Sequence, residues 1–188
     1  MLIDKQQQTK IEFYKFINLS QNASRIFELL DGEIVEKMPT FGYSSGLGAR
    51  ITTFIGMYLL NNNIAHLTDA QGGYEIDNQN TLAPDVGVIL KSRQPELPSD
   101  SFIPLAPDFV VEVVSASDLK DPENRIEKKL KKYLEAGVPL IWYVFYERQA
   151  VDVYRKGQAK QVFGLDDTLD GGVVLPNFSL RVRDIFGK

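Results

Sequence analysis

Residues 140–146 read Leu-Ile-Trp-Tyr-Val-Phe-Tyr, an unbroken apolar run of seven. That is strand length, and a strand with apolar side chains on both faces is stable only when both faces are covered. A membrane span would need roughly 20 such residues, so the run belongs to a central strand inside a globular core. The chain has the material for one, with 188 residues, 44% hydrophobic and 11% aromatic. This is the length of a single domain, and we expect one soluble domain over residues 1–188. Met1-Leu2-Ile3-Asp4-Lys5 runs into Gln6-Gln7-Gln8 with neither an apolar leader nor an Arg-rich transit segment, so a cytoplasmic location is expected.

The rest of the chain supplies neighbours and covers for that strand. Asp31-Gly32, between residues 25–30 and 33–38, is a two-residue hairpin signal. From Ser45 to about Asn61, the residues Leu47, Ile51, Ile55, Tyr58 and Leu59 recur at helical spacing, with Ser44 or Ser45 placed to cap. Extended segments follow within 65–76, broken near Gly72-Gly73, then at 86–90 and 109–115. A turn cluster lies at 77–80 and a Pro- and Ser-rich loop at 91–107. Asp121-Pro122-Glu123 opens a second helix with an N-cap carboxylate, a proline at the first helical position and an acid in the first turn. Gly137 closes it. Residues 1–24 hold a partly helical segment around Ile11, Phe13 and Phe16, and short strands fall at 150–155 and within 161–180. The order over 45–146 is helix, several strands, helix, strand, which is an α/β arrangement.

The residue inventory removes most chemistries. Zero cysteines exclude a disulfide framework, a thiolate nucleophile and any Cys-ligated metal. A single histidine, His66, stands in no motif, which leaves a Ser-His-Asp triad or a zinc hydrolase centre without support. No G-x-x-x-x-G-K-[ST] occurs, and Gly46-Leu47-Gly48 lacks the full dinucleotide fingerprint. Catalysis would fall to carboxylates, lysines and a hard metal. The net charge of −4 counts against a non-specific DNA coat, yet residues 118–132 hold six basic residues against four acidic ones.

Three residues stand out within this frame. Glu112 is a carboxylate in the middle of Phe109-Val110-Val111-Glu112-Val113-Val114, a buried-strand pattern. A buried Glu must find a cation, hold its proton or bind a metal. The alternative is an edge strand with Glu112 in solvent. Asp85 follows Pro84 at the start of 86–90 and by itself reads as a turn cap. Beside Glu112 it becomes half of a carboxylate pair, the hard-oxygen donor set of a Mg²⁺ site. In the second helix, Ile126, Leu130, Tyr133 and Leu134 form the apolar face. Lys129 lies about 80° from the centre of that face, whereas Lys128, Lys131 and Lys132 lie about 120–180° away. Lys129 alone borders the buried face, either as a functional cation or as a stem covering the core edge. The other three read as a solvated face or as contacts to a polyanion.

Leu82-Ala83-Pro84-Asp85-Val86, Pro107-Asp108-Phe109-Val110-Val111-Glu112-Val113-Val114-Ser115, Lys129 with Tyr133, Gly137-Val138 and Trp142 together resemble the Uma-type restriction endonuclease family of the PD-(D/E)xK nuclease superfamily. Residues 27–36 resemble the family's opening hairpin, and Leu175-Pro176-Asn177-Phe178 its closing segment. The resemblance implies a restriction-endonuclease-like α/β (α+β) core. In it a mixed β-sheet is flanked by helices, with an N-terminal β-hairpin and a C-terminal β extension. It implies a metal-dependent endonuclease acting on nucleic acid, DNA above all, with Mg²⁺ or Mn²⁺ held by Asp85, Glu112 and the carbonyl of Val113. The usual lysine two residues after the acid is absent, since position 114 is Val. The resemblance assigns its role to Lys129, and a place near the site to Glu33. Arg125, Lys128 and Lys132 would contact the nucleic-acid backbone. Ser44 stands where many members carry a histidine, a departure from the pattern. A second reading keeps the scaffold without catalysis, as a degenerate module that binds nucleic acid or a protein partner. Assembly into a homodimer stays open.

Overall fold

The computed structural model describes residues 8–39, 41–121 and 123–188. Residues 1–7, on which the absence of a leader was read, lie outside the described residues. Helix α1 (Lys10–Ile17) starts at a capping box, in which the Thr9 hydroxyl accepts from the Glu12 N–H and the Glu12 carboxylate from the Thr9 N–H. Strands β1 (Phe27–Leu30) and β2 (Glu33–Glu36) form the expected hairpin. Both turn residues take positive φ, Asp31 at 52° and Gly32 at 73°, the requirement that makes Asp-Gly the preferred pair there.

Helix α2 (Gly42–Asn61) begins three residues before the expected Ser45, because Phe41 rather than a serine is its N-cap. Phe41 makes no side-chain capping bond, and Ser44 is buried within the first turn. Strands β3 (Ala65–Thr68) and β4 (Tyr74–Asp77) follow, then β5 (Asn80–Leu82), whose first residue falls in the expected turn cluster and whose other two carry no sequence expectation. Three residues are too few to show alternation; β5 is a strand because Leu29 of β1 and Tyr74 of β4 pair with it. Strands β6 (Val86–Leu90) and β7 (Phe109–Val114) flank the long loop.

Between β7 and the next strand lie a short α3 (Ala116–Leu119) and α4 (Arg125–Glu135). The second helix thus starts at Arg125 and not at 122. Asn124 takes φ +48°, which a continuous helix cannot accommodate. The Asp121 carboxylate, expected to cap, accepts from the N–H groups of Glu123 and Arg125. Pro122 lies outside the described residues. Gly137, at φ +73°, ends α4 as expected. Strands β8 (Leu140–Phe145), β9 (Ala150–Arg155), β10 (Gln161–Phe163), β11 (Thr168–Gly171) and β12 (Leu175–Arg181) and helix α5 (Val182–Phe186) complete the chain.

The fold is mixed α+β. A six-stranded sheet runs β10-β9-β8-β7-β6-β3, with β7 and β8 parallel and every other pair antiparallel. The parallel pair needs a crossover, which α3 and α4 provide. A four-stranded sheet, β2-β1-β5-β4, stands beside it, and β11 pairs β12. The run 140–146 supplies β8, with its first five residues buried. On one side of the sheet Phe109, Val111, Trp142 and Val144 pack with Ile51 and Ile55 of α2 and Ile185 of α5. On the other, Val110, Val114, Ile141 and Tyr143 pack with Tyr133 of α4 and with Leu30 and Leu82. No helix among the described residues is long and apolar enough to cross a membrane.

Candidate active site

Strand β7 lies between β6 and β8, so Glu112 is not on an edge. It points to the α4 side of the sheet and is 7% exposed. Two residues of α4 one turn apart meet it: Lys129 Nζ is 2.6 Å from Glu112 Oε1, and the Tyr133 hydroxyl donates to the same oxygen at 2.9 Å. Spacing of four residues puts both side chains on one helix face. Lys129 Nζ also lies 3.0 Å from Glu28 Oε1, and that carboxylate accepts the Ala83 N–H at 2.7 Å. Glu28 therefore joins the hairpin to the segment before β6.

Asp85 stands at the start of β6. Its Oδ2 accepts the Val113 N–H at 2.8 Å, and its Oδ1 is 3.2 Å from Lys37 Nζ. Lys37 also donates to the Ala83 carbonyl at 2.7 Å and the Ala70 carbonyl at 3.3 Å. A cavity of about 510 Å³ is lined by Glu28, Lys37, Asp85, Glu112, Arg125 and Lys129 together with Val113. The cluster thus sets three carboxylates against two ammonium groups.

Burial governs its electrostatics. Desolvation pushes the Glu112 carboxyl up to about 7, against the pull of Lys129, with the Asp85 charge adding to the rise. Burial works against the Lys129 ammonium, but Glu112 and Glu28 outweigh it and hold the group above its ordinary value. The Tyr133 hydroxyl, buried beside Glu112, is raised well above its ordinary value and keeps its proton to donate.

Asp85, Glu112, Val113 and Lys129 come together as the sequence suggested. Glu33 does not join them: it pairs with Leu30 near the hairpin turn, outside the residues lining the cavity. The hairpin acid at the cluster is Glu28, five positions earlier. Of the three residues expected along the nucleic-acid backbone, only Arg125 lines the cavity, with its guanidinium 3.1 Å from Asp121. Lys128 pairs with Glu123 at 3.4 Å. Lys132, expected on a solvated face, is mostly buried and lies 2.5 Å from Asp31, tying α4 to the hairpin turn. Sequence reading missed Glu28, Lys37 and Tyr133. Glu28 carried the same signal as Glu112, an acid between apolar residues of a strand-like run, Phe27-Glu28-Leu29-Leu30. Tyr133 stood on the apolar face and within the family motif, but without a role at Glu112. Nothing local marked Lys37.

The donor set fits a hard divalent ion. Mg²⁺ is held by one or two carboxylates, with water and substrate phosphate filling its other positions, and Asp85 and Glu112 supply that number on adjacent strands. Glu112 Oε2 has no hydrogen bond to any described residue, and each Asp85 oxygen accepts one. Among the described residues no group of three or more His, Cys, Asp or Glu is placed to hold a metal ion by itself, so these two carboxylates are the side-chain donors available.

A family model described as "Uma2: Putative restriction endonuclease" matches residues 12–183. Among solved structures, the chain is similar to one described as the crystal structure of "a putative nuclease belonging to DUF820 from Anabaena variabilis ATCC 29413". That likeness has a TM-score of 0.72 and 22% sequence identity and covers 86% of this chain and 89% of the other, which carries the fold. No curated protein matches the chain.

Proposed function

Since the chain belongs to the Uma2 family, "Putative restriction endonuclease", we propose that it hydrolyses phosphodiester bonds of nucleic acid, DNA above all, with Mg²⁺ or Mn²⁺ as cofactor. The observation that carries this reading is the convergence of Asp85 and Glu112, from adjacent strands, in one cavity with Lys129 2.6 Å from Glu112. Asp85 and Glu112 would hold the ion, with the Val113 carbonyl as a further oxygen donor. Bound there, the ion supplies Lewis acidity to the attacking water and to the phosphate.

The chain's own groups do the rest. Lys129, fixed between Glu28 and Glu112, holds a permanent positive charge where negative charge builds on the phosphate oxygens. It needs no reorganisation during the reaction, because two carboxylates hold it in place. Tyr133 donates to Glu112 Oε1 and so leaves Oε2 to face the cavity. Lys37 plays the matching part for Asp85, which the Val113 N–H orients. Arg125 at the rim attracts the phosphate backbone without reading sequence.

The test is cleavage of plasmid and oligonucleotide DNA in Mg²⁺ or Mn²⁺. Asp85→Asn, Glu112→Gln and Lys129→Ala should each lower the rate by on the order of 10² or more while near-UV circular dichroism stays native. Full activity in any of the three removes the assignment of that residue. A folded wild type inert on DNA and RNA in both metals would favour the non-catalytic module.

A further inference from the structure

Asp85 and Val113 form a wall shared by two cavities. Beyond the one described, a second cavity of about 370 Å³ opens on their other side, against the first three turns of α2. Its lining includes Ser44, Ser45, Gly48 and Thr52 from the helix and Asp69 and Gln71 from the β3–β4 loop.

Two observations bear on what this space can hold, although Gly42 and Gly46 of the same helix, outside the cavity, have the same open space as Gly48. Glycine in a helix interior costs about 1 kcal/mol relative to alanine, and a close neighbour or a positive φ usually explains it. Gly48 has neither: a Cβ built there meets no atom within 4 Å. The missing side chain leaves room in the cavity and serves no packing. Independently, Ser44 lines the same cavity and is 5% exposed, yet its hydroxyl makes no hydrogen bond to any described residue. The fully buried unpartnered side-chain atoms among the described residues are Thr81 Oγ1 and Trp142 Nε1; the Ser44 Oγ keeps an opening to solvent, from which it can donate to or accept from a polar ligand in the cavity.

The chemistry of the lining selects among the parts of a nucleic acid. Asp69 and Asp85 are its charged residues, and no Lys or Arg lines it. The ammonium of Lys37, behind Asp85, is taken up by Asp85 and the carbonyls of Ala70 and Ala83. A phosphate is repelled there. A neutral group with hydrogen-bonding edges fits, and hydroxyl, amide and carboxylate side chains are the groups that read base edges.

We propose that this cavity receives the base of the nucleotide next to the scissile phosphate, and that the substrate is therefore unpaired at the cleavage site. A base stacked and paired in a duplex cannot enter a side cavity without leaving the stack, so single-stranded nucleic acid, or a duplex with an unpaired nucleotide, is the preferred class. This inference rests on the nuclease reading above.

The test compares wild type, Ser44→Ala, Gly48→Ala and Gly48→Leu on one mixed-sequence oligonucleotide, as a single strand and annealed to its complement. Wild type should cleave the single strand with kcat/KM at least about tenfold above the duplex, the cost of unstacking and unpairing a base. Gly48→Leu fills the cavity and should lower single-strand kcat/KM by about tenfold or more, chiefly through KM. Gly48→Ala should fall between, and Ser44→Ala should lose about three- to tenfold through one hydrogen bond. The Mn²⁺-induced rise in melting temperature should stay at the wild-type value in all three, since none touches the ion's donors. Equal cleavage by wild type and Gly48→Leu, or equal rates on single strand and duplex, overturns the base-binding cavity while leaving the nuclease standing. A wild type that cleaves neither overturns both.

Discussion

Strand β7 presents two faces of opposite character. Phe109, Val111 and Val113 look toward α2 and α5, where apolar side chains cover Phe109 and Val111 and the polar second cavity borders Val113. Trp142 is fully buried there, with its ring centroid 4.8 Å from that of Phe109. Val110, Glu112 and Val114 look toward α4, where the same depth of burial holds Glu112, Lys129 and Glu28. Both faces exclude water, but the first turns that exclusion into stability, whereas the second uses it to strengthen the electrostatics of a charged cluster. Replacing such a cluster by apolar side chains of similar volume is often neutral or stabilising. The charged face is therefore the side on which burial adds least to stability.

The contrast can be broken most sharply on the apolar face. Trp142→Ala should cost about 3–5 kcal/mol in urea unfolding, and a loss below 1 kcal/mol would show that this face is not the main stabiliser. On the charged face, Lys129→Met leaves Glu28 and Glu112 without their shared cation and should cost about 3–5 kcal/mol. The double variant Glu112→Gln/Lys129→Met should recover part of that loss in a double-mutant cycle, and strict additivity would mean the two are not coupled.

A pH titration sharpens the same difference. The folded protein keeps the Glu112 proton up to about pH 7, whereas the unfolded chain releases it near the ordinary 4.5. Between those values the folded state binds more protons, so this group's contribution to stability falls as pH rises and is lost above about 7. This pH dependence should be missing from Glu112→Gln and present in Trp142→Ala, as read by chemical denaturation at several pH values.

The proposed metal site confines the next test to the charged face. Mn²⁺ at one hundred times its Kd should raise the stability of wild type by about 2.7 kcal/mol, and Asp85→Asn should abolish the rise. A rise that survives Asp85→Asn would place the ion elsewhere. The smallest effect belongs to the solvent side of α4, where Lys131 lies 3.7 Å from Glu135 with both side chains exposed. Lys131→Ala should change stability by less than about 0.5 kcal/mol.

The central strand, the hairpin, the helix between the strands at 109–115 and 140–146, and the pairing of Asp85 with Glu112 were legible because each leaves a local mark. An apolar run without interruption, an Asp-Gly turn and an acid inside a hydrophobic strand are statements about neighbours in sequence. Glu28 was equally marked, whereas Glu33 rested on the family resemblance and not on its own surroundings. Strand β5 and helix α5, at three and five residues, were too short to show a period. Lys132 looked solvated because helix angle alone cannot reveal that Asp31 of the hairpin lies over it.

By itself the sequence indicated a covered central strand, excluded thiol chemistry and singled out Glu112 as a carboxylate inside a buried-strand pattern. Tertiary structure decided which partners complete the cluster. Lys37 and Glu28 reach it from the hairpin, 48 and 84 positions from Asp85 and Glu112, and Ser44 and Gly48 bring the second cavity against the same wall. The physical reason is one of range. Burial and turn geometry are set by adjacent residues, whereas an ion pair or a cavity wall needs atoms within a few ångströms, and only the packing of distant segments brings them there.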